Sequence, residues 1–402
     1  MDKAKVLIVI VLIFSIASVS NALNIVYVDV SGPNNPGTGS FDDPFRKIKD
    51  AIDDANDGDI IEIRPGVYTG EGNYDLDPNG KSVTIRSIAP EDPNIVANTT
   101  IDPNEAGRGF YFDSGEDANC VVSGLTIRNG YTDGSGGALY CNNSSPVISH
   151  CVIIDNTAVW GGGGIYCYDS NLTLSNCVIA GNTTNSNGGG IKYFWCSEPI
   201  LRNCTISSNE ANWRGSGIYC YNSNAIITNC ILWSNGLEEM YIEGSSELVT
   251  YCDIQGGWVD GSGNVNREPY FVSFDPNDDP NTWDFHLQSA YGRWNPDSQE
   301  WVADSNTSGC IDTGDPNSDW SNEPWPNGKR INMGAYGGTN QASMNGNPAD
   351  FDISGAVNFV DFAEFCNKWL AEEACIEDLT GNGVVDFADL LIFAENWLWR
   401  RE

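Results

Sequence analysis

The stretch IYCYDSNLTLSNCVIAGN at residues 165–182 decides the fold, because its pattern occurs four times between residues 139 and 235. The third apolar run of each copy begins near a cysteine, at Cys151, Cys177, Cys204 and Cys230, with spacings of 26, 27 and 26 residues. The apolar runs are too short for helices and rich in β-branched residues. One copy cannot bury its own apolar side, whereas stacked copies can, with strands about 4.8 Å apart. The period therefore predicts a parallel β-helix.

The repeat also predicts columns of identical side chains along the stack. Apart from the four cysteines above, the sequence places Cys120 and Cys252 in one inward column, and a second cysteine column at Cys141, Cys167 and Cys220. Small buried hydrophobes are one interpretation of these columns, and a few vertical disulfides are another. A packed interior argues against metal binding there. An asparagine column is predicted at a turn, where each amide bonds the next, at Asn129, Asn156, Asn182, Asn209 and Asn235.

These features resemble the right-handed parallel β-helix of the pectate-lyase-like superfamily, over residues 24–344. The motif at residues 57–68, DGDIIEIRPGVY, is similar to the first-coil signature of secreted carbohydrate-active β-helices. A helix opened by Asp43-Pro44 and stopped by Gly58 carries Phe45, Ile48, Ala51, Ile52 and Ala55 on one face. We expect this helix to cover the open apolar end of the stack. Early strands are predicted at 25–30, 83–85, 95–101 and 110–112, and irregular last turns with a C-terminal cap at 256–344.

Charge and leader sequence bear on the compartment. The chain has 402 residues, with 55 acidic and 20 basic side chains and a net charge of −35, which excludes nucleic acid and anionic membrane as expected partners. Residues 1–22 have the basic start, apolar core and small-residue end of a signal peptide. The alternative is a single membrane anchor, for which the apolar run is short. We expect a secreted, extracellular or cell-surface protein with no membrane span after cleavage.

The most specific chemistry lies at residues 350–402, beyond a β-helix domain at 23–344 and a linker at 345–349. Two 12-residue loops, 28 residues apart, carry oxygen side chains and a glycine at the spacing that wraps one Ca²⁺. The predicted ligands of the first loop are Asp350, Asp352, Ser354, the Ala356 carbonyl, Asn358 and Asp361. Those of the second are Asp378, Thr380, Asn382, the Val384 carbonyl, Asp386 and Asp389. An apolar helix face follows each loop, with Phe362, Phe365 and Trp369 matching Leu390, Phe393 and Trp397, and the two helices are expected to pack together.

This duplicated loop, with aspartate at position 12, resembles a type I dockerin, an EF-hand-like α-helical module. The resemblance implies two Ca²⁺ ions and a cohesin-like docking partner. Two departures are present: Thr380 is a weak ligand, and positions 10 and 11 are Phe359-Val360 and Phe387-Ala388, where cohesin-binding dockerins usually carry serine or threonine. Cys366 and Cys375 flank the segment between the repeats and are a candidate local disulfide.

Exposed aromatic residues are the candidate contacts for a polysaccharide. If Ile165 and Cys167 point inward, alternation points their neighbours outward. The glycan-contact candidates on strands are Tyr140, Tyr166 and Tyr219, and those on the glycine-rich return loops are Trp160 and Trp213. Ordinary cross-strand packing is the alternative role of the tyrosines.

Catalytic residues are less clearly marked. A polysaccharide lyase needs a basic side chain to abstract a proton, and a glycosidase needs paired carboxylates. The candidates are Lys192, Arg214, Asp155 and Asp169, and neither aspartate recurs one coil away. The two histidines, His150 and His286, have no evident partner in the sequence, and His150 is expected at a turn. The sequence leaves two hypotheses: a polysaccharide-degrading lyase or glycosidase, or a non-catalytic surface protein with the β-helix as a rigid scaffold.

Overall fold

The structure is a computed structural model that describes residues 24–352, 354, 356–371, 375–380 and 384–398. The predicted leader at 1–22 and the predicted ligand Asn382 lie outside these residues. Among the described helices, none has the length and apolar character needed to cross a bilayer.

The chain forms a mainly β parallel solenoid, as predicted. Three long sheets, named A, B and C here, enclose the core, and each strand pairs with its equivalent in the next coil. Sheet A consists of Ile25–Val28, Ile60–Ile63, Thr84–Ser87, Val121–Ser123, Val147–Ser149, Thr173–Ser175, Ile200–Arg202, Ile226–Thr228 and Leu248–Thr250. Sheet B consists of Gly66–Tyr68, Thr99–Ile101, Thr126–Arg128, Val152–Ile154, Val178–Ala180, Thr205–Ser207, Ile231–Trp233 and Asp253–Ile254. Sheet C consists of Phe110–Phe112, Leu139–Asn142, Ile165–Tyr168, Ile191–Phe194, Ile218–Tyr221 and Met240–Glu243. A small sheet D follows sheet B, at Tyr131–Thr132, Thr157–Ala158, Thr183–Thr184 and Glu210–Ala211.

The strand register confirms most of the predicted cysteine columns and corrects one member. Cys141 lies beside Cys167 in sheet C, and both are fully buried. The placement of Cys120 in the first column was wrong. Val121 pairs with Val147, so the residue next to Cys120 in the following coil is Pro146. The residue that pairs with Cys151 in the preceding coil is Leu125. All thirteen cysteines, including Cys366 and Cys375, are free thiols in the structure.

The asparagine column forms the predicted hydrogen-bonded ladder. Oδ1 of Asn182 accepts from the backbone N–H of Asn156 at 3.1 Å and from its Nδ2 at 3.0 Å, and Asn182 repeats both bonds with Asn209. The ladder ends at Glu239, whose carboxylate accepts from the backbone N–H of Asn235 at 3.1 Å and from its Nδ2 at 2.5 Å.

The assignment of Asn129 to this ladder was wrong. Pairing of Arg128 with Ile154 sets Asn129 beside Asp155 and puts Gly130 at the ladder position, where its N–H donates to Asn156 at 2.8 Å. The Asn129 amide donates instead to Asp102 at 2.9 Å.

A glycine column marks the corner where each coil returns to sheet C. A Cβ built on Gly163 would lie 2.4 Å from the carbonyl oxygen of Thr183 and 2.5 Å from that of Gly189 in the next coil. A Cβ on Gly137 would lie 2.3 Å from the carbonyl oxygen of Gly163. Real side chains do not tolerate such distances, so the corner stacks only because these residues have no Cβ.

Two early elements differ from the prediction. The capping helix α1 runs only over Ile48–Asp54, because Phe45 pairs as a β-bridge with Val28 instead of entering the helix. All five predicted apolar residues are nevertheless buried. The predicted strand at 95–101 is instead helix α2, Pro93–Asn98, followed by the strand Thr99–Ile101. The Asp92 carboxylate caps α2 by accepting from Asn94 N at 2.9 Å, and proline stands in its first turn.

Residues 256–344 were expected to form irregular last turns and a C-terminal cap. This segment, called the covering segment below, packs instead along the outer face of sheet B. It contributes the antiparallel pairs Phe271–Ser273 with Asp284–Leu287 and Arg293–Asn295 with Glu300–Val302, and the 3₁₀ turn Pro280–Thr282. Its apolar residues, among them Phe285 and Leu287, pack on outward-facing side chains of sheet B such as Val178 and Ile231. Strands that are apolar on both faces, such as 178–180 and 231–233, require such a cover.

The C-terminal module contains helices α3, Phe359–Asn367, and α4, Phe387–Glu395. Their predicted packing is confirmed: Phe365 and Phe393 are buried with ring centroids 5.5 Å apart, against Phe351. The linker is held at both sides, since Asn345 N donates to Pro326 O at 3.1 Å and Asn347 Nδ2 to Asn396 Oδ1 at 2.8 Å.

Candidate functional site

Three carboxylates of the first predicted calcium loop lie together. Oxygen atoms of Asp350, Asp352 and Asp361 are within 4.8 Å of one another. Asp361 is fully buried in the first turn of α3, where one oxygen accepts from Asn358 N at 2.8 Å and the other from Asp352 N at 3.2 Å. The first turn of α3 thus positions Asp361, the last predicted ligand of the loop, beside Asp350 and Asp352.

The second loop repeats this hydrogen bonding. The fully buried Asp389 accepts from Asp386 N and from Thr380 N, both at 2.8 Å, as Asp361 does from the equivalent residues. Thr380 also donates its hydroxyl to Asp378 at 3.3 Å. Burial opposes ionisation of Asp389, but the bonds from Asp386 and Thr380 hold its pKa below the usual value. The second loop therefore holds its last carboxylate in the ionised form that a cation requires.

Two predicted ligands have their side-chain oxygens engaged elsewhere. Asn358 Oδ1 accepts from Val360 N at 2.9 Å and Asp386 Oδ1 from Ala388 N at 2.7 Å, so both residues cap the helices that follow. Ala356 O accepts from Ser354 Oγ at 3.2 Å. A capping residue at position 9 suits the loop type in which that position reaches the ion through water.

The donor set fits Ca²⁺. Carboxylates held this close repel one another unless a cation lies among them, and Asp350 and Asp361 are buried. Hard oxygen donors at this loop spacing are those that Ca²⁺ prefers. Asp350, Asp352 and Asp361 would hold the ion in the first loop, and Asp378 and Asp389 in the second.

The tyrosines predicted to contact glycan form a stacked ridge on the outer face of sheet C. Tyr140 stacks on Tyr111 at 4.8 Å and on Tyr166 at 5.5 Å. The ridge continues through Lys192, whose Nζ lies 5.6 Å from the ring centre of Tyr166 and 5.9 Å from that of Tyr219. Each ring therefore has neighbours on its faces, which is the packing role left open by the sequence.

The two return-loop tryptophans have open rings. Trp160 is 68% exposed and Trp213 is 67% exposed. Both lie at the rim of the glycine corner. They are two coils apart, since the equivalent position in the coil between them is Ser186, whose carbonyl accepts from Trp213 N at 3.0 Å. Of the five glycan-contact candidates, these two present exposed rings to a sugar face.

The catalytic candidates are not brought together. Lys192 lies in the ridge, donates to the carbonyl of Trp160 at 3.1 Å, and has its pKa lowered by burial. Arg214 lies over the ring of Tyr241 at 4.9 Å and 3.8 Å from Glu238. Asp155 follows sheet B and Asp169 follows sheet C, and both are exposed, with φ of 55° and 46°. Lys192 therefore combines a pKa lowered by burial with a hydrogen bond to the backbone of the exposed Trp160.

A groove that the sequence did not reveal lies between sheet B and the covering segment, with a volume of about 420 Å³. Both histidines line it. His150 adopts the turn conformation expected of it, with φ of 51°. His286 has a partner after all, because its Nδ1 lies 2.5 Å from Asp284 Oδ1. The sequence Asp284-Phe285-His286 was the available signal, since residues two apart on a strand share a face.

Comparison with known protein families agrees with this architecture. A family model described as "Right handed beta helix region" matches residues 118–271. The solved structure "Crystal structure of pectate lyase Pel9A" is similar with a TM-score of 0.41 and 14% identity, covering 80% of this chain and 96% of that one. "Rhamnogalacturonan lyase" is similar with a TM-score of 0.28 and 13% identity, covering 64% of this chain and 94% of that one. No curated protein sequence matches the chain.

Proposed function

We propose that this chain is a secreted, carbohydrate-directed right-handed β-helix protein whose C-terminal module binds two Ca²⁺ ions and docks it to a partner protein. The observation that carries the proposal is the gathering of Asp350, Asp352 and Asp361 within 4.8 Å. Positions 10 and 11 are Phe359-Val360 and Phe387-Ala388 instead of serine or threonine, so we propose a cohesin-like or other docking protein as the partner.

Calcium supplies folding energy to such a module. The ion binds the native loops but not the unfolded chain, in which the carboxylates are not gathered. Binding therefore stabilises the folded module by mass action. Asp361 and Asp389 each fix the start of a helix as well as a loop, so the ion and the helix pair are expected to order together. The docking surface then exists only in the loaded form.

Isothermal titration calorimetry with CaCl₂ on the full chain tests this proposal. Wild type is expected to bind two ions per chain, Asp361→Ala and Asp389→Ala one each, and the double variant none. Asp260→Ala, an exposed aspartate outside the module, is the matched control and should retain both sites. Equal stoichiometry in the double variant and wild type would refute the loop assignment. A pull-down with the full chain, with and without Ca²⁺, tests the docking role.

The carbohydrate-directed part of the proposal is supported by the exposed rings of Trp160 and Trp213 at the rim of the glycine corner and by Lys192 on sheet C, whose Nζ donates to the Trp160 carbonyl at 3.1 Å. An aromatic face receives the apolar face of a sugar, and burial, which lowers the pKa of Lys192, makes its amine a better general base than that of an exposed lysine. A lyase that abstracts a proton next to a uronate carboxylate requires such a base. The depressed pKa of Lys192 favours this reaction over a glycosidase, whose carboxylate pair is absent from the described candidates.

Assays on acidic and neutral polysaccharides separate the enzyme from the scaffold hypothesis. A lyase forms unsaturated products that absorb ultraviolet light, and a hydrolase forms new reducing ends. Lys192→Met should abolish lyase activity while retaining binding, whereas Trp160→Ala with Trp213→Ala should weaken binding. Saccharide binding by wild type without either product would exclude the enzyme and leave the rigid scaffold.

A further inference from the structure

The groove between sheet B and the covering segment is a preformed cavity. Three hydrogen bonds span it from the solenoid to the cover: Asn94 Nδ2 to Pro296 O at 2.6 Å, the Arg128 guanidinium to Asn281 Oδ1 at 3.2 Å, and Asn176 Nδ2 to Ala335 O at 3.0 Å. Its volume of about 420 Å³ falls within the roughly 300–1,000 Å³ typical of small-molecule sites. These bridges fix the width of the groove before any ligand enters.

The floor of the groove is apolar. Val152, Ile154 and Val178 face outward from neighbouring strands of sheet B and line it. Aromatic side chains of the covering segment, such as Phe285, pack on this outer face in the same cluster as Ile154 and Val178. That cover leaves Ile154 and Val178 each only 4% exposed, so the half-buried Val152 provides most of the open apolar floor.

Polar groups converge on this floor from the walls. The His150 imidazole has no hydrogen-bond partner among the residues that the structure describes, and burial lowers its pKa, so it is neutral with one donor and one acceptor. Opposite it, Asp284 is held by His286, whose ring stacks on Tyr336 at 3.6 Å. These contacts hold the pair in place, and Glu91 also lines the groove.

The charge of the lining disfavours an anionic ligand. Glu91, Asp284 and Asp297 line the groove, whereas the one arginine of the lining, Arg128, is already paired with Asp102 at 3.1 Å. The net charge of −35 acts in the same direction. A neutral ligand rich in hydroxyl groups satisfies the remaining constraints, since its C–H face covers the apolar floor and its hydroxyls pair with carboxylate, imidazole and amide groups.

We infer that this groove is a second carbohydrate site, specific for neutral oligosaccharides and separate from the sheet C face. The inference rests on the carbohydrate-directed role proposed above, but on none of the residues of the sheet C face. It also assigns the two faces different substrates, because uronates are repelled here.

Calorimetric titration of the full, Ca²⁺-loaded chain with neutral xylo-, cello- and galacto-oligosaccharides, and separately with oligogalacturonate, tests this inference. His150→Asn is a mild variant, because asparagine holds the same left-handed turn position at Asn176 one coil later. Val152→Trp fills the floor. Each should weaken binding of the neutral ligand at least about tenfold. Val147→Trp, on the outer face of sheet A, adds the same bulk away from the groove and should leave binding unchanged.

The outcomes separate this site from the sheet C face. Neutral-ligand binding that survives Trp160→Ala with Trp213→Ala but is lost in Val152→Trp supports the groove. Binding that is lost in the tryptophan variants but retained in both groove variants overturns it and leaves the proposed function intact. Oligogalacturonate binding without any binding of a neutral ligand likewise overturns the groove site alone, and a chain that binds no saccharide overturns both carbohydrate assignments.

Discussion

Replacing Asn182 by alanine interrupts the asparagine ladder at its centre. The side chain is fully buried and makes four hydrogen bonds: it accepts two from Asn156 and donates one each to Ile153 O, at 2.9 Å, and Asn209 Oδ1, at 3.0 Å. Because the position is fully buried, solvent cannot replace these bonds. The variant therefore leaves polar groups without partners in the interior.

The loss of stability depends on which hydrogen-bond partners of Asn182 keep another bond in the variant. The Asn156 side-chain amide keeps its bonds to Ile127 O and Ile154 O, and Asn209 Oδ1 keeps the bond from the Asn182 backbone. The backbone N–H of Asn156 loses its acceptor, at about 1–3 kcal/mol, and each of the other lost bonds costs about 0.5–1.5 kcal/mol. We expect Asn182→Ala to lower the free energy of unfolding by about 2.5–7.5 kcal/mol.

Urea unfolding followed by circular dichroism measures this change, and amide hydrogen exchange locates it. Because each coil contacts only its neighbours, exchange should quicken mainly in the coils around Asn156 and Asn182. Asn212→Ala is the control, since its exposed amide makes one 3.3 Å bond to Asn185 and its loss should change stability by no more than about 0.5 kcal/mol. An Asn182→Ala loss below about 1 kcal/mol would refute the claim that the ladder stabilises the stack.

Further predictions concern titration and thiols. Burial raises the pKa of Glu239 to about 7, so the native state holds a proton that the unfolded chain releases near the ordinary value. Wild type should therefore lose stability relative to Glu239→Gln as pH rises from about 5 to about 8, and parallel urea midpoints across that range would contradict this. In native protein, only Cys366 and Cys375 of the thirteen cysteines should react with a thiol reagent, because the others are buried; rapid reaction of more than two would disprove the inward columns.

The sequence predicted those parts of the fold that repeat. Periodicity located the strands of the regular coils and the asparagine ladder, because a side chain repeated every coil must meet its own copy. It misplaced Cys120 and Asn129, which lie in the first regular coil, where no earlier copy fixes the register. It also missed helix α2, although Asp92-Pro93 is a good helix start.

The groove was beyond such reasoning for a physical reason. Its walls come from contacts between distant, non-repeating segments, such as Gln341 Nε2 with Glu91 O and Asn94 with Pro296. The period of the solenoid does not specify which residues of sheet B and its turns the covering segment contacts. The gathering of Asp350, Asp352 and Asp361 was predictable because these residues are local: all three lie within one 12-residue span, and Asp361, in the first turn of α3, accepts a hydrogen bond from Asp352 N.

The glycine corner limits how this molecule can be rebuilt. Since Gly137, Gly163 and Gly189 each touch a carbonyl of the adjoining layer, an insertion of a few residues there would force a Cβ or a shifted backbone into a contact of about 2.4 Å. A complete extra coil that includes the glycine makes the same contacts with the coils on either side of it. Engineers who wish to elongate the rod should therefore graft whole 26-residue units, and place loops or tags on the opposite corners.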